Sequence, residues 1–404
     1  MKNFVFGVVI TIIYGLLIGC ASDKKEAPTS NDFTSGQMQV RPALKEFIST
    51  FETVLETNFK DHNIPGATVA IVIDSTLTYV RALGKKSSRG YDSVDLNTRF
   101  RLASVSKGFA SILAGKVMTG RDSWDESISD YIPNFGVKPS ELTDSITVGH
   151  ILSHSAGYPY QTYSTLVEDG VNRDRLFYEL KEIKLARNPG EIHSYQNVAY
   201  SLIEPVIESI TNVTFQKALD SLVFVPLGMG NASTTYEQMK NSGNMALPHG
   251  LKGKEYIPVK LSPAYYNVAA AGGINASITD MAQWLKALLG LREDVVSHDV
   301  LNDVFKPRIR TSVKNYHFSN YDRPRKGHYG YGWRIVEYPN DTLIYHGGYA
   351  NGFKSELGID RQKKVGICIL SNAPSQFCNE MVVRFLKDYK MFQLQQGITH
   401  PEEH

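Results

Sequence analysis

The stretch Ser104-Val105-Ser106-Lys107 opens a run in which Phe109, Ile112, Leu113 and Val117 fall at helical spacing. Ser104 is therefore expected at the start of a buried helix. Residues three apart share a helix face, which brings the Lys107 amine to the Ser104 hydroxyl, while Ser106 points elsewhere. A serine and a lysine so placed form a nucleophile–base pair that needs neither histidine nor aspartate. The helix start favours a developing negative charge, and a lysine desolvated in a cleft loses its proton readily. Spacing alone is weak evidence: Ser22 and Lys25 repeat it in a polar segment with no helix to support it.

Outward from this stretch, the two ends of the chain read alike. Leu44, Phe47, Ile48, Phe51, Val54, Leu55 and Phe59 mark an amphipathic helix. Ala67 to Ile73 and Leu77 to Leu83 then read as a hairpin around Asp74-Ser75-Thr76. Near the other end, Gly332 to Tyr338, Thr342 to His346, Phe353 to Ile359 and Val365 to Leu370 read as short strands. A last helix carries Cys378, Met381, Val382, Phe385, Leu386 and Tyr389 on one face. From about Ser104 to Lys326 the signals are mostly helix and loop. The expected class is α+β: an antiparallel sheet built from both chain ends and flanked by helices, plus an inserted, mainly helical lobe. A site is expected in the cleft between them.

The N-terminus reads as an export signal. Lys2 precedes an apolar run from Phe4 to Ile18, and Leu17-Ile18-Gly19-Cys20 matches a lipobox whose cysteine is acylated. The run is shorter than the roughly 20 residues of a spanning helix. The division expected is a signal over 1–20, a flexible tether over 21–41, a domain over 42–392 and a tail over 393–404. Lys and Arg number 43 against 41 Asp and Glu, a net charge of +2, which argues against a nucleic-acid partner. Of three cysteines, Cys368 and Cys378 remain if Cys20 is lipidated; a strand-then-helix context favours two free buried thiols.

Two further marks carry chemistry. Tyr195-Gln196-Asn197 follows Pro189-Gly190-Glu191 and precedes an apolar helix. A tyrosine beside a lysine ammonium is expected to have its pKa lowered and to shuttle protons, and Asn197 can bind both the lysine and a substrate amide. On their own these residues equally describe a core tyrosine and a capping asparagine. His346-Gly347-Gly348 is expected to end a strand, with glycines that let substrate lie along its edge.

The order Ser-x-x-Lys, Tyr-x-Asn, His-x-Gly resembles the serine β-lactamase and penicillin-binding family, most of all its class C β-lactamase and DD-carboxypeptidase/esterase branch. Ile151-Leu152-Ser153-His154-Ser155-Ala156-Gly157, Pro226-Leu227-Gly228-Met229, Ala271-Gly272-Gly273 and Tyr331-Gly332-Trp333 extend the likeness in the same order, from about Asn63 to Asn372. The resemblance implies Ser104, Lys107 and Tyr195 as catalytic residues and Asn197, His346, Gly347, Gly348 and Tyr349 as substrate-binding. It implies an oxyanion hole from the Ser104 and Tyr349 N–H groups, and acyl transfer with no cofactor or metal. The substrate would be an amide or ester: a D-amino-acid peptide, a peptidoglycan stem, an ester or a β-lactam. Where many relatives have Lys-Thr-Gly this chain has His-Gly-Gly, so a fixed cation becomes a histidine that is mostly neutral at pH 7. The alternative is a binding or sensor protein that is acylated without turnover.

Other chemistries fit less well. His150 and His154 have i, i+4 spacing, but Ile151 follows where a zincin has its glutamate, and no third ligand is evident. No Gly-x-Ser-x-Gly elbow is present. The expected setting is an exported lipoprotein, tethered to a bacterial membrane through Cys20 and acting on a small-molecule or peptide substrate.

Overall fold

A computed structural model describes residues 42–119, 124–313 and 320–398. The export signal, Cys20 and the tether lie outside the described residues. Helix α1 (Pro42–Asp61) leads into the hairpin β1 (Gly66–Ile73) and β2 (Thr76–Gly84). Its turn at Asp74 uses a left-handed φ of 54°, which a short polar side chain tolerates. β3 (Phe100–Arg101) runs into a single 3-10 turn, Ala103–Val105, and then helix α2 (Ser106–Met118). Next come α3 (Val148–Leu152), further short helices, the hairpin β4 (His249–Lys252) and β5 (Glu255–Pro258), and β6 (Asn275–Ala276), which pairs with β3. The chain closes with β7 (Ile309–Thr311), β8 (Lys326–Tyr329), β9 (Arg334–Glu337), β10 (Thr342–Ala350), β11 (Phe353–Asp360), β12 (Val365–Ser371) and the helix Phe377–Gln395.

Among the described residues the main sheet has eight strands in the order β2-β1-β12-β11-β10-β9-β8-β7, every neighbour antiparallel. The chain ends meet at β1 and β12, with Val69 opposite Ile369 and Ile71 opposite Ile367. β1 is buried along its whole length because both faces are covered. Val69, Ile71 and Ile73 pack with Phe51, Leu55 and Phe385 of the two terminal helices. Ala70 and Val72 face the other way, into the core that holds Phe109, Trp284 and Leu285. This is the α+β arrangement expected: an antiparallel sheet from both chain ends, flanked by helices.

Several details differ from the sequence reading, among them the hairpin β4–β5 and strand β6 inside the stretch read as mostly helix and loop. Ile309–Thr311 lies within the stretch read as helical yet forms the edge strand β7; three residues are too few to show an alternation. β9 begins at Arg334 because Gly332 turns with φ +76°. β10 does not end at His346 but continues through Gly347 and Gly348 to Ala350. Cys368 and Cys378 are both free and buried.

α2 is the axis of the helical part. Phe109 stacks on Trp284 with centroids 3.8 Å apart and meets Phe224 edge-on. Gly108, directly after Lys107, admits Trp333: a Cβ there would lie 2.3 Å from the indole. The bulk of Trp333 thus seats the helix that carries Lys107 against the strand region before β9.

Candidate active site

Ser104 sits in the 3-10 turn rather than in α2 proper. Both flanks of that turn are pinned. The Leu102 N–H donates to Ile274 O at 2.8 Å, and the Ser355 hydroxyl donates to Leu102 O at 2.5 Å. Ala103, the residue before Ser104, has φ +47°, a left-handed conformation costly for a residue with a Cβ. Ser106 points away as expected, and its Oγ accepts from Ile274 N–H at 3.1 Å.

Lys107 is fully buried, with its Nζ 3.3 Å from Ser104 Oγ, 2.8 Å from Asn197 Oδ1 and 2.9 Å from Ala271 O. Burial, and then the positive charge of Arg334, hold its pKa well below the ordinary lysine range. A neutral amine has two hydrogens and one lone pair. The hydrogens go to Asn197 Oδ1 and Ala271 O, and the lone pair is left to receive the Ser104 hydroxyl proton. In that state the geometry aims the lone pair at the serine.

Tyr195 shares a hydrogen bond with Ser104, and Lys107 Nζ lies 4.7 Å from its ring centroid. The expected downward pKa shift is not found. Burial pushes the phenol up to about 12, outweighing the Ser104 bond and the Arg334 charge, which act the other way. Lys107, whose own pKa is held low, is not among the groups that shift it. Tyr195 therefore keeps its proton and can act as a relay, donating and accepting at once.

The strand β10 closes the site. A Cβ on Gly348 would lie 2.4 Å from Leu102 O and 2.9 Å from Ser104 N, so only glycine lets β10 pack on the turn at Ser104. Gly347 stands opposite Glu356 on β11, and Tyr349, 58% exposed, is the next residue along β10 after Gly348. His346 is buried: its Nδ1 lies 2.8 Å from Gly347 O and its Nε2 2.8 Å from the Tyr329 hydroxyl. Nδ1–H must donate to the carbonyl, so Nε2 accepts from Tyr329. Burial, Arg334 and Lys107 all hold its pKa well below the usual histidine range, so it is neutral as expected.

The structure brings Ser104, Lys107, Tyr195, Asn197 and the β10 residues together. It also adds residues that sequence reasoning missed. Arg334 on β9 lies 5.7 Å from the ring centroids of both Tyr195 and Tyr329, and its charge bears on Lys107, His154, His193 and His346. The site therefore does hold a fixed cation, supplied from a neighbouring strand. Arg334 directly follows Tyr331-Gly332-Trp333, but a lone arginine in a four-residue strand leaves no pattern to notice. His154, weighed above as half of a metal pair, instead accepts the Gln196 N–H at Nδ1, and His150 forms a capping box with Thr147.

The Beta-lactamase family model matches residues 47–380. The chain belongs to this family. Among curated relatives of this β-lactamase-family chain is Protein flp of Staphylococcus aureus (strain MRSA252), 24% identical over 338 residues that cover 82% of the chain and 64% of the relative. Another is Unguisins hydrolase ungD' of Aspergillus campestris (strain IBT 28561), 23% identical over 363 residues, covering 84% and 65%. The chain thus spans 64–65% of the length of these relatives. The solved octameric penicillin-binding protein homologue from Pyrococcus abyssi superposes with a TM-score of 0.73 at 21% identity, covering 87% of this chain and 77% of that one. That likeness is one of fold.

Proposed function

We propose that this β-lactamase-family chain is a serine hydrolase of the class C, DD-carboxypeptidase and esterase branch, working through a covalent acyl-Ser104. The observation that carries the reading is the buried Lys107 Nζ 3.3 Å from Ser104 Oγ, held from its other sides by Asn197 Oδ1 and Ala271 O. Ser104 Oγ attacks a carbonyl carbon while its proton passes to Lys107. The resulting oxyanion is received by the Ser104 and Tyr349 N–H groups. The proton then travels through Tyr195 to the leaving nitrogen or oxygen as the C–N or C–O bond breaks. Water attacks the ester, its proton is drawn off through Tyr195, and Ser104 is released.

The substrate is an amide or ester: a D-amino-acid peptide, a peptidoglycan stem, an ester or a β-lactam. Asn197 and the β10 edge would hold it, and the Arg334 charge supports one bearing an anionic group. By the lipobox at Cys20 the protein is an exported, membrane-anchored lipoprotein.

The test is intact mass of the full chain during a time course with benzylpenicillin, beside Ser104→Ala. A transient adduct on the unsubstituted chain only, with hydrolysed drug, supports a β-lactam-cleaving hydrolase. A lasting adduct favours a peptidase or an acylated sensor. Equal labelling of Ser104→Ala overturns the assignment of the nucleophile.

A further inference from the structure

Glu204 lies on the helix Ile203–Thr211 with 1% of its surface exposed. Its Oε1 accepts the Ala270 N–H at 2.8 Å. Its Oε2 makes no hydrogen bond and meets the Arg173 guanidinium at 3.5 Å, while Arg173 bonds Glu208 at 2.9 Å. Ala270 belongs to the four-residue helical turn Ala269–Gly272, and its neighbour Ala271 is the residue whose carbonyl takes a hydrogen of Lys107 at 2.9 Å. A buried carboxylate is thus two covalent neighbours and two hydrogen bonds away from the base.

Resting on the serine-hydrolase reading, we infer that Glu204 is a positioning residue for Lys107, holding the Ala269–Gly272 turn so that the Ala271 carbonyl meets the amine and aims its lone pair at Ser104. The charged neighbour that bears on Lys107 is Arg334, so Glu204 acts through the backbone and not through its own field. The charged groups that bear on Glu204 are Arg173 from the helix Arg173–Leu180 and Glu208 on its own helix. The other elements packed on this helix carry Lys107 and Lys116 (α2), His150 (α3), Lys217 and Tyr200.

The carboxyl is poised to change state near neutrality. Burial pushes it up to about 7, against the pull of the Ala270 N–H and Arg173. Ionised, it is the stronger acceptor and pairs with Arg173; protonated, it loosens its hold on Ala270. Acylation is expected to have an inflection near this pH that does not belong to Lys107. The sign for stability is the reverse. A carboxyl raised on folding binds its proton more tightly in the folded chain, so stability falls as pH rises from the ordinary carboxylate range through 7. A glutamine in this place would avoid that cost, keep an acceptor for Ala270 and lose the switch.

The experiment measures the rate at which a fluorophosphonate probe labels Ser104 in the full chain from pH 5 to 9, with melting temperatures alongside. Glu204→Gln is expected to lose the inflection near neutrality and label roughly fivefold slower at pH 8, with a melting temperature no lower than that of the unsubstituted chain. Arg173→Met is expected to move the inflection to higher pH, because it removes the cation that favours ionised Glu204. An unchanged profile in Glu204→Gln, or a fall in rate matched by a fall in melting temperature, overturns the proposal. If the unsubstituted chain is not labelled, or Ser104→Ala is labelled equally, the serine-hydrolase reading fails first and this one with it.

Discussion

The ring of His154 lies 4.2 Å, centroid to centroid, from the ring of Tyr195, and its Nδ1 takes the N–H of Gln196, the next residue in the chain. The His154 carbonyl accepts the Ser194 N–H at 2.7 Å. One residue therefore grips the turn on both sides of Tyr195, from a left-handed backbone of φ +57°. Burial, reinforced by Lys107, holds the imidazole neutral, the state in which Nδ1 can accept.

Removing that grip is expected to loosen the Tyr195 turn. His154→Ala should cost about 2–4 kcal/mol in urea unfolding and slow acylation more than tenfold. His154→Asn, which tolerates the left-handed backbone and keeps an acceptor, should recover part of both. Equal losses in the two variants would mean that the ring contributes bulk alone.

Lys107 must be neutral to act as base, so the acylation rate should rise with pH as it loses its proton and then level off. Arg334 helps to hold its pKa low. Arg334→Gln is therefore expected to move the acid limb to higher pH. A rate profile with the limb unmoved, or moved to lower pH, would remove Arg334 from the control of the base.

Gly348 is expected to tolerate no side chain. In Gly348→Ala the new Cβ would meet Leu102 O at 2.4 Å and Ser355 Oγ at 2.5 Å, so β10 must draw back from the turn at Ser104. Acylation should fall by about a hundredfold or more, since small displacements of reacting groups have that effect. Gly230→Ala is the control: nothing lies within 4 Å of its Cβ, and stability should change by less than about 0.5 kcal/mol.

Phe109 anchors α2 by its stack on Trp284, 14° from parallel. Phe109→Ala should destabilise the fold by about 3–5 kcal/mol, measured by urea unfolding. A cost below about 1 kcal/mol would show that the core refills the space.

Sequence alone determined the elements whose cause is local. The runs Ala67–Ile73 and Val365–Leu370 are apolar but for Thr68, the pattern of strands covered on both faces. Ser104 and Lys107 share a side of the chain because they are three residues apart at the start of a helix that its own apolar stripe announces. Tertiary structure alone decided how those groups behave. Burial, a property summed over neighbours from the whole chain, lowers the pKa of Lys107 and raises that of Tyr195, against the lowering that the motif suggested for the tyrosine. Arg334 reaches the site because β9 runs beside β10, and Gly348 must be glycine because β10 packs on the turn at Leu102. Such contacts join residues far apart in the chain, and spacing along a sequence carries no record of them.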